Sequence, residues 1–359
     1  MRKCYRVRDP FILQAFEDLI YARKLWIFSH FHFDHYSLMA AFQKVTTTSK
    51  KFSNTFLVKG DHVAIPYLHT PECRMAIANV TAFLAHRLIE KLPGITKDEA
   101  IAIIAPWLSE KSSVKLMPVR AGDRIILTSK DASFEYLFLS PNPALLREFC
   151  WTSCREISEK INKTLDGLEN KDIFSTVQQK TKEALERAHE GVSREPATYR
   201  FNADEEGFEE NLSEVQPKSE VIYKSTRVVD ALSKAQVELK KVLKGTNIKS
   251  LNNTSLSYAL TWECVSSIIY LSDLDQKKLL QSAIYTFIRQ KGLLSSIMLF
   301  APHHGNAWCK CLRCLEPVLT VFTRCDAHYI RWRSEWQMEY DQLAPQAYVT
   351  HNSSLEFCI

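Results

Sequence analysis

Glycine is scarce in this chain, with nine residues in 359. That count argues against a fold built on repeated Gly-rich phosphate loops, and no GxGxxG or Walker-type run occurs. Surplus charge is also small. Forty-six Lys plus Arg stand against 41 Asp plus Glu, a net +5, whereas a dedicated nucleic-acid binder gathers its basic residues into a stripe. No apolar run reaches the roughly 18–20 residues that span a bilayer, the longest lying near Ile268 and Ile297, so no membrane partner is expected. The opening MRKCYRVRDPFILQAFEDLIY is interrupted by Asp9, Glu17 and Asp18, which predicts no export segment. The ten cysteines are therefore expected as free thiols in a cytoplasmic, reducing setting.

What is present is a large apolar fraction, 46 %, enough for a sizeable core and too much for a disordered polyelectrolyte. Helical spacing of Ile12, Phe16, Leu19 and Ile20 precedes the short apolar run LWIFS at 25–29, which has strand length. From 71 to about 110 the pattern is helical, with Ile77, Val80, Phe83 and Leu84 predicted on one face. A break at Pro93 and Gly94 is followed by a second helix capped by Thr96 with Glu99 three residues on. Between 114 and 140 the runs VKLMPV, RIILTS and FEYLFLS read as strands.

Residues 151–245 are rich in Lys, Glu, Gln and Ser. Amphipathic helices are predicted over 155–190 and 228–244, flanking the acidic NADEEGFEENLSEVQPKSE. This reads as a helical, partly acidic insertion and a candidate docking surface for a protein partner, set between the two halves of one domain at 1–150 and 246–359. Strands then return as SLSYALTW and SIIYLSD, followed by a helix over 276–291 and the strand SIMLFA. After these come VLTVFTR, a helix near 334–343 and AYVTH. Asp273 and His303 are thereby predicted at strand C-terminal ends, where α/β sheets build their sites.

The densest chemical signal is SHFHFDH at 29–35, three histidines and an aspartate in six residues directly after a strand. On an extended backbone His30 and His32 face one way, and Asp34 and His35 come one turn later. Imidazole and carboxylate are the ligands expected for zinc, manganese or iron. A second histidine pair stands before glycine in APHHG, His303 and His304.

The motif resembles HxHxDH of the metallo-β-lactamase fold superfamily. VRAGDRIIL at 119–127 with FEYLFLSPNP at 134–143, LNNTSLSYAL at 251–260, IIYLSDL at 268–274, MLFAPHHGN at 298–306 and the closing AYVTHNSSLEF are similar, in order, to segments of the branch related to the C-terminal hydrolase domain of the competence protein ComEC. The resemblance implies an α/β fold, a metallo-β-lactamase-like αββα sandwich. With only 29 residues before His30, its N-terminal sheet is expected to be truncated.

Carried over residue by residue, the resemblance implies His30, His32, Asp34 and His35 as first-motif metal ligands and Asp273 as the carboxylate bridging two ions, with Asp275 as the fallback. His304 is the expected distal ligand and His303 a substrate contact or proton donor, the two being exchangeable. Ser272 stands where the family has glycine, which predicts a strained or reshaped loop. The middle-strand histidine of many members has no motif here; His62, His69, His86 and His189 are the residues available.

The activity so implied is hydrolysis of a phosphodiester, DNA or RNA among the substrates, by a metal-bound hydroxide on one or two zinc ions, manganese being the other fitting ion, with His303 and Asp34 as catalytic residues. The alternative is a catalytically degenerate scaffold or regulatory subunit of an assembly. Arg324, Arg331 and Arg333 interleaved with Tyr329, Trp332 and Trp336 suit phosphate contact and base stacking, though an ordinary amphipathic surface is the plainer reading. Cys309, Cys311, Cys314 and Cys325 with His328 have irregular spacing for structural zinc, so buried thiols are expected.

Overall fold

The structure, a computed structural model, describes residues 25–30, 44–45, 52–53, 61–108, 114–130, 132–165, 171–193, 195–202, 226–246, 252–262, 266–291, 296–323 and 336–350. In chain order these form β1 (Leu25–Ile27), β2 (Lys44–Val45), β3 (Phe52–Ser53), β4 (His62–Pro66), α1 (Pro71–Lys91), α2 (Lys97–Ile104), β5 (Lys115–Val119), β6 (Arg124–Thr128) and β7 (Ser133–Ser140). They continue as α3 (Pro143–Leu165), α4 (Lys171–His189), β8 (Thr198–Asn202), α5 (Thr226–Val242), β9 (Ser257–Trp262), β10 (Ser266–Tyr270), α6 (Lys277–Lys291), β11 (Ser296–Phe300), β12 (Leu319–Thr323), α7 (Gln337–Asp341) and β13 (Gln346–Thr350). The chain is mixed α/β.

A small all-parallel sheet has the order β1-β4-β5, and a larger mixed sheet runs β13-β12-β11-β10-β9-β7-β6-β8. Strand residues alternate between two faces, and three apolar clusters show what each face meets. Val63 and Ile65 of β4 join Phe28 and the helices α1 to α5. Ala64, Met117 and Val119 face the other way, onto Ile125, Phe138 and Leu256 of the larger sheet. Leu137, Leu139, Ala259, Ile269 and Leu299 form the far side of that sheet and pack on Leu279, Leu280, Ala283, Ile284 and Phe287 of α6. Helices, small sheet, large sheet and helix therefore stack in that order.

Helix α1 is the hub of the helical layer. Thr70 caps it by accepting from Cys73 N at 3.3 Å, Pro71 opens its first turn and Lys91 closes its last. The single apolar face expected from Ile77, Val80, Phe83 and Leu84 is too narrow a description, because Ala76, Ala78, Ala82 and Ala85 are buried as well. The cause is tertiary: Cys154, Ile157 and Ile161 of α3, Phe174, Val177 and Leu185 of α4 and Val228, Leu232 and Ala235 of α5 pack with α1 in one cluster. Each large apolar side chain so buried contributes about 1.5–3 kcal/mol.

The α2 cap is local and matches its signature, with Glu99 N donating to Thr96 Oγ1 at 3.2 Å and Thr96 N to Glu99 Oε2 at 2.8 Å. The 151–245 stretch differs from a purely helical reading. Strand β8 lies within it and pairs in parallel with β6, Tyr199 beside Ile125 and Phe201 beside Leu127, and both aromatic rings join the apolar layer between the sheets. The helix expected over 155–190 is two, α3 beginning already at Pro143. Among the described residues, the helix expected near 334–343 is the five-residue α7. The acidic segment 203–225 lies outside the described residues. Among the described residues no helix is long and apolar enough to cross a membrane.

Candidate functional site

Strands β10, β11 and β12 are mutually parallel, so their C-terminal ends share one edge of the sheet, and the residues just beyond them form the candidate site. Asp273 follows β10, the turn Pro302–Gly305 follows β11, and Thr323 closes β12. The small sheet delivers His30 to the same place, three residues after β1. Leu256, the residue before β9, donates its N–H to Ser29 O at 2.5 Å and ties the two sheets together there.

His30 is wholly buried and Asp273 is 7 % exposed. His30 Nε2 stands 3.9 Å from Asp273 Oδ2, and His304 Nε2 stands 3.7 Å from Asp273 Oδ1. One carboxylate thus lies between two imidazoles, each addressing a different oxygen. The opposite ring nitrogens are engaged by hydroxyl groups. His30 Nδ1 lies 3.2 Å from both Ser29 Oγ and Ser255 Oγ, and His304 Nδ1 lies 2.9 Å from Thr323 Oγ1. Such partners set ring orientation and tautomer. His303 turns the other way, its Nδ1 3.4 Å from Asp275 Oδ1. The two histidines of APHHG therefore have different carboxylate neighbours.

Backbone conformation makes this divergence. His303 and His304 both have left-handed backbones, φ 47° and 58°, and Gly305 follows at 82°. Ser272 also sits at φ 51°, so the loop keeps the conformation in which glycine is at ease, although serine occupies it. Left-handed backbone costs an L-residue about 1–2 kcal/mol, and strain of this kind gathers at functional sites. His303 N donates to Ser272 O at 2.7 Å and locks the two strained turns together.

A belt of buried hydroxyls extends the support. Ser140 Oγ donates to Ser255 O at 2.5 Å and accepts from Ser257 N at 2.9 Å, while Ser257 Oγ donates to Leu271 O at 2.8 Å. On the sheet face next to the small sheet a row of aromatic rings crosses four strands. Centroids are 5.7 Å apart for Tyr136 and Tyr258, 5.4 Å for Tyr258 and Tyr270, and 5.6 Å for Tyr270 and Phe300. Burial pushes the Tyr270 phenol up to about 12, the Asp273 charge adds to this, and Ser272 opposes it. Burial also raises Tyr258, with Tyr270 and Tyr136 adding. These phenols stay neutral at physiological pH and give the site an apolar flank, where charge interactions are stronger than in water.

Of the residues singled out from sequence, His30, Asp273 and His304 come together, and His303 joins them through the Ser272 turn. His32, Asp34 and His35 lie outside the described residues, as do Arg324, Arg331, Arg333, Tyr329, Trp332, Cys325 and His328. Among the described residues, no group of three or more His, Cys, Asp or Glu closes into a ready-made metal cage. The middle histidines are engaged elsewhere. His62 packs its ring on Phe201, His86 faces Glu90 at 3.6 Å, and His69 accepts from Arg147 Nε at 2.5 Å. His189 accepts from Leu68 N at 2.9 Å, its Nδ1 lies 2.6 Å from Leu185 O, and burial lowers it to about 4. Cys309 is buried and its thiol pushed up to about 11 by that burial, whereas Cys314 is exposed.

Sequence reasoning missed Ser29, Ser255 and Thr323. Ser29 and Thr323 carry one signal, a hydroxyl residue at or just past the end of an apolar run; Ser255 shows none, being 225 residues from His30. Comparison with protein-family models, with curated proteins and with solved structures finds no match.

Proposed function

We propose that the chain is a metal-dependent hydrolase of the metallo-β-lactamase fold, a phosphodiesterase or nuclease, with His30, Asp273 and His304 among its metal ligands. The observation that carries the reading is the Asp273 carboxylate between His30 and His304. These three side chains come from the ends of three strands in two sheets, and His30 is more than two hundred residues from the other two in the chain. The stacking of helices, two sheets and helix, with the site at the common strand edge, supports the same reading.

The donor set fits a metal. Nitrogen and oxygen donors at about 2.0–2.2 Å from one zinc ion stand roughly 3.3–3.5 Å apart at a tetrahedral angle. The gaps of 3.9 and 3.7 Å exceed a good hydrogen bond and lie within a few tenths of an ångström of that spacing. The two Asp273 oxygens address different imidazoles, as suits a carboxylate shared between two ions. HxHxDH supplies His32, Asp34 and His35 as further ligands in this reading. A bound divalent ion brings a water towards ionisation near neutral pH and polarises a phosphoryl oxygen.

The chain's own residues do the rest. Ser29, Ser255 and Thr323 aim the imidazoles, so little reorganisation is needed on binding. His303, half-buried with its Nδ1 3.4 Å from Asp275 Oδ1, keeps in this reading the role of substrate contact or proton donor. The row of aromatic rings flanks one side of the site. Asp34, named from sequence as catalytic, lies outside the described residues and would serve in this reading as one of the metal ligands.

The test pairs metal content with turnover. Protein purified without chelator is expected to hold zinc or manganese and to cleave bis-nitrophenyl phosphate or single-stranded DNA, and His32→Ala and Asp273→Ala, with Asp273→Asn as the gentler change, are expected to lose both. Folded wild-type protein that holds no metal and cleaves nothing overturns the reading in favour of a degenerate scaffold that docks a partner through 151–245.

A further inference from the structure

Two thiols unrelated to the candidate site meet in the helical layer. Cys73 occupies the first turn of α1, just after the Thr70 cap, and Cys154 lies midway along α3. Their sulfurs are 3.2 Å apart, with Cys154 Sγ donating to Cys73 Sγ. Both are thiols, 5 % and 1 % exposed, and both belong to the apolar cluster around α1. The contact joins points 81 residues apart in the chain.

We propose that Cys73 and Cys154 are a redox pair that hydrogen peroxide converts into a disulfide, fastening α1 to α3. The geometry needs little: the sulfurs approach by roughly 1 Å to reach the bond length of about 2.05 Å. Cys73 is the attacking partner. A thiol in the first turn of a helix is favoured as thiolate by the unpaired N–H groups there. Cys154's S–H contributes most to holding Cys73 at about 7, burial works against it, and Thr70 adds to the lowering through side chain and backbone.

The balance closes with one peroxide. The Cys73 thiolate attacks a peroxide oxygen, the O–O bond breaks, and one water leaves once protonated, giving a sulfenic acid on Cys73. Cys154 sulfur then attacks that sulfur, the S–S bond forms, the S–O bond breaks, and a second water carries off the oxygen. Two thiols lose two electrons and two hydrogens, and the peroxide is reduced to two waters.

The full-length chain is treated with hydrogen peroxide, its remaining thiols are blocked with N-ethylmaleimide, and its peptides are mapped with and without reductant. The expected product is a linked pair of peptides bearing Cys73 and Cys154, about 2 Da lighter than the two thiol forms together and separated by reductant. Cys154→Ser is expected to leave Cys73 as a sulfenic or higher acid, and Cys73→Ser to leave Cys154 a blockable thiol. Oxidation is expected to raise the wild-type thermal midpoint by several degrees, since closing a long loop restricts the unfolded chain, and to leave both variants unshifted. Recovery of Cys73 and Cys154 as separate maleimide adducts, or of either linked to another cysteine, overturns the proposal. If a variant fails to fold, the wild-type map decides alone.

Discussion

Acidification is expected to destabilise this protein through His189, because burial of its ring outweighs the hydrogen bond to Leu185 that favours the charged form. In the folded chain one ring nitrogen accepts from Leu68 N and the other lies 2.6 Å from Leu185 O, the donating position in the neutral ring. Burial removes the water that would take up the charge, and protonation sets a second N–H against the Leu68 N–H. The group therefore falls from 6.5 to about 4 on folding. Because the folded value is the lower one, the unfolded chain binds a proton between those two values that the native state refuses. The favourable contribution is complete above about pH 6.5 and is lost as pH falls towards 4. At roughly 1.4 kcal/mol per pH unit, the loss is about 2 kcal/mol at pH 5 and about 3 kcal/mol when complete.

Urea unfolding near pH 7.5 and pH 5, for wild type and His189→Gln, isolates this effect. Glutamine accepts and donates like neutral histidine but does not titrate. His69 is also lowered, by burial first and then by Arg147 and Arg74, but it is common to both proteins and cancels. Wild type is expected to lose about 2 kcal/mol more than the variant over that interval. Equal losses refute the reasoning, and would mean that His189 is not held neutral by these partners.

Replacing Ser272, at φ 51°, with glycine relieves about 1–2 kcal/mol of left-handed strain against about 0.5–1 kcal/mol of added unfolded-state entropy; thermal denaturation is expected to show a gain of a few tenths to 1 kcal/mol, and a clear loss contradicts the left-handed assignment. Thr323→Val removes the hydroxyl 2.9 Å from His304 Nδ1 with little change of shape, and metal affinity measured by competition with a chromogenic chelator is expected to fall about 10–100-fold, with secondary structure by circular dichroism unchanged. Thr96→Ala removes the hydroxyl that accepts from Glu99 N and leaves the residue-96 N–H still able to donate to Glu99 Oε2, and a loss of about 1 kcal/mol is expected in denaturant titration.

What the sequence disclosed was what local spacing determines. Thr96 and Glu99 are three residues apart, so the α2 cap could be read directly, as could the strand leading into His30 and the apolar run that ends before Asp273. Contacts between distant residues were opaque. Strand β8 went unassigned between the two helices predicted within 151–245 because TYRFN is short and polar at alternate positions, and its partner β6 is far away in the chain. The burial of α1 around most of its circumference depends on α3, α4 and α5 arriving later in the chain. Ser272 marked a departure from glycine, but only the backbone revealed that the left-handed turn persists. The pairing of His304 with Asp273 and of His303 with Asp275 followed from two successive left-handed residues, a conformation that neighbouring letters do not encode.

Anomalous X-ray scattering at the zinc edge, from crystals grown without chelator and soaked in zinc, tests the central proposal most directly. A peak about 2.0–2.2 Å from an Asp273 carboxylate oxygen and from Nε2 of His30 or His304 is the expected result. Strong peaks elsewhere with none between these side chains, at zinc concentrations that saturate the crystal, contradict it.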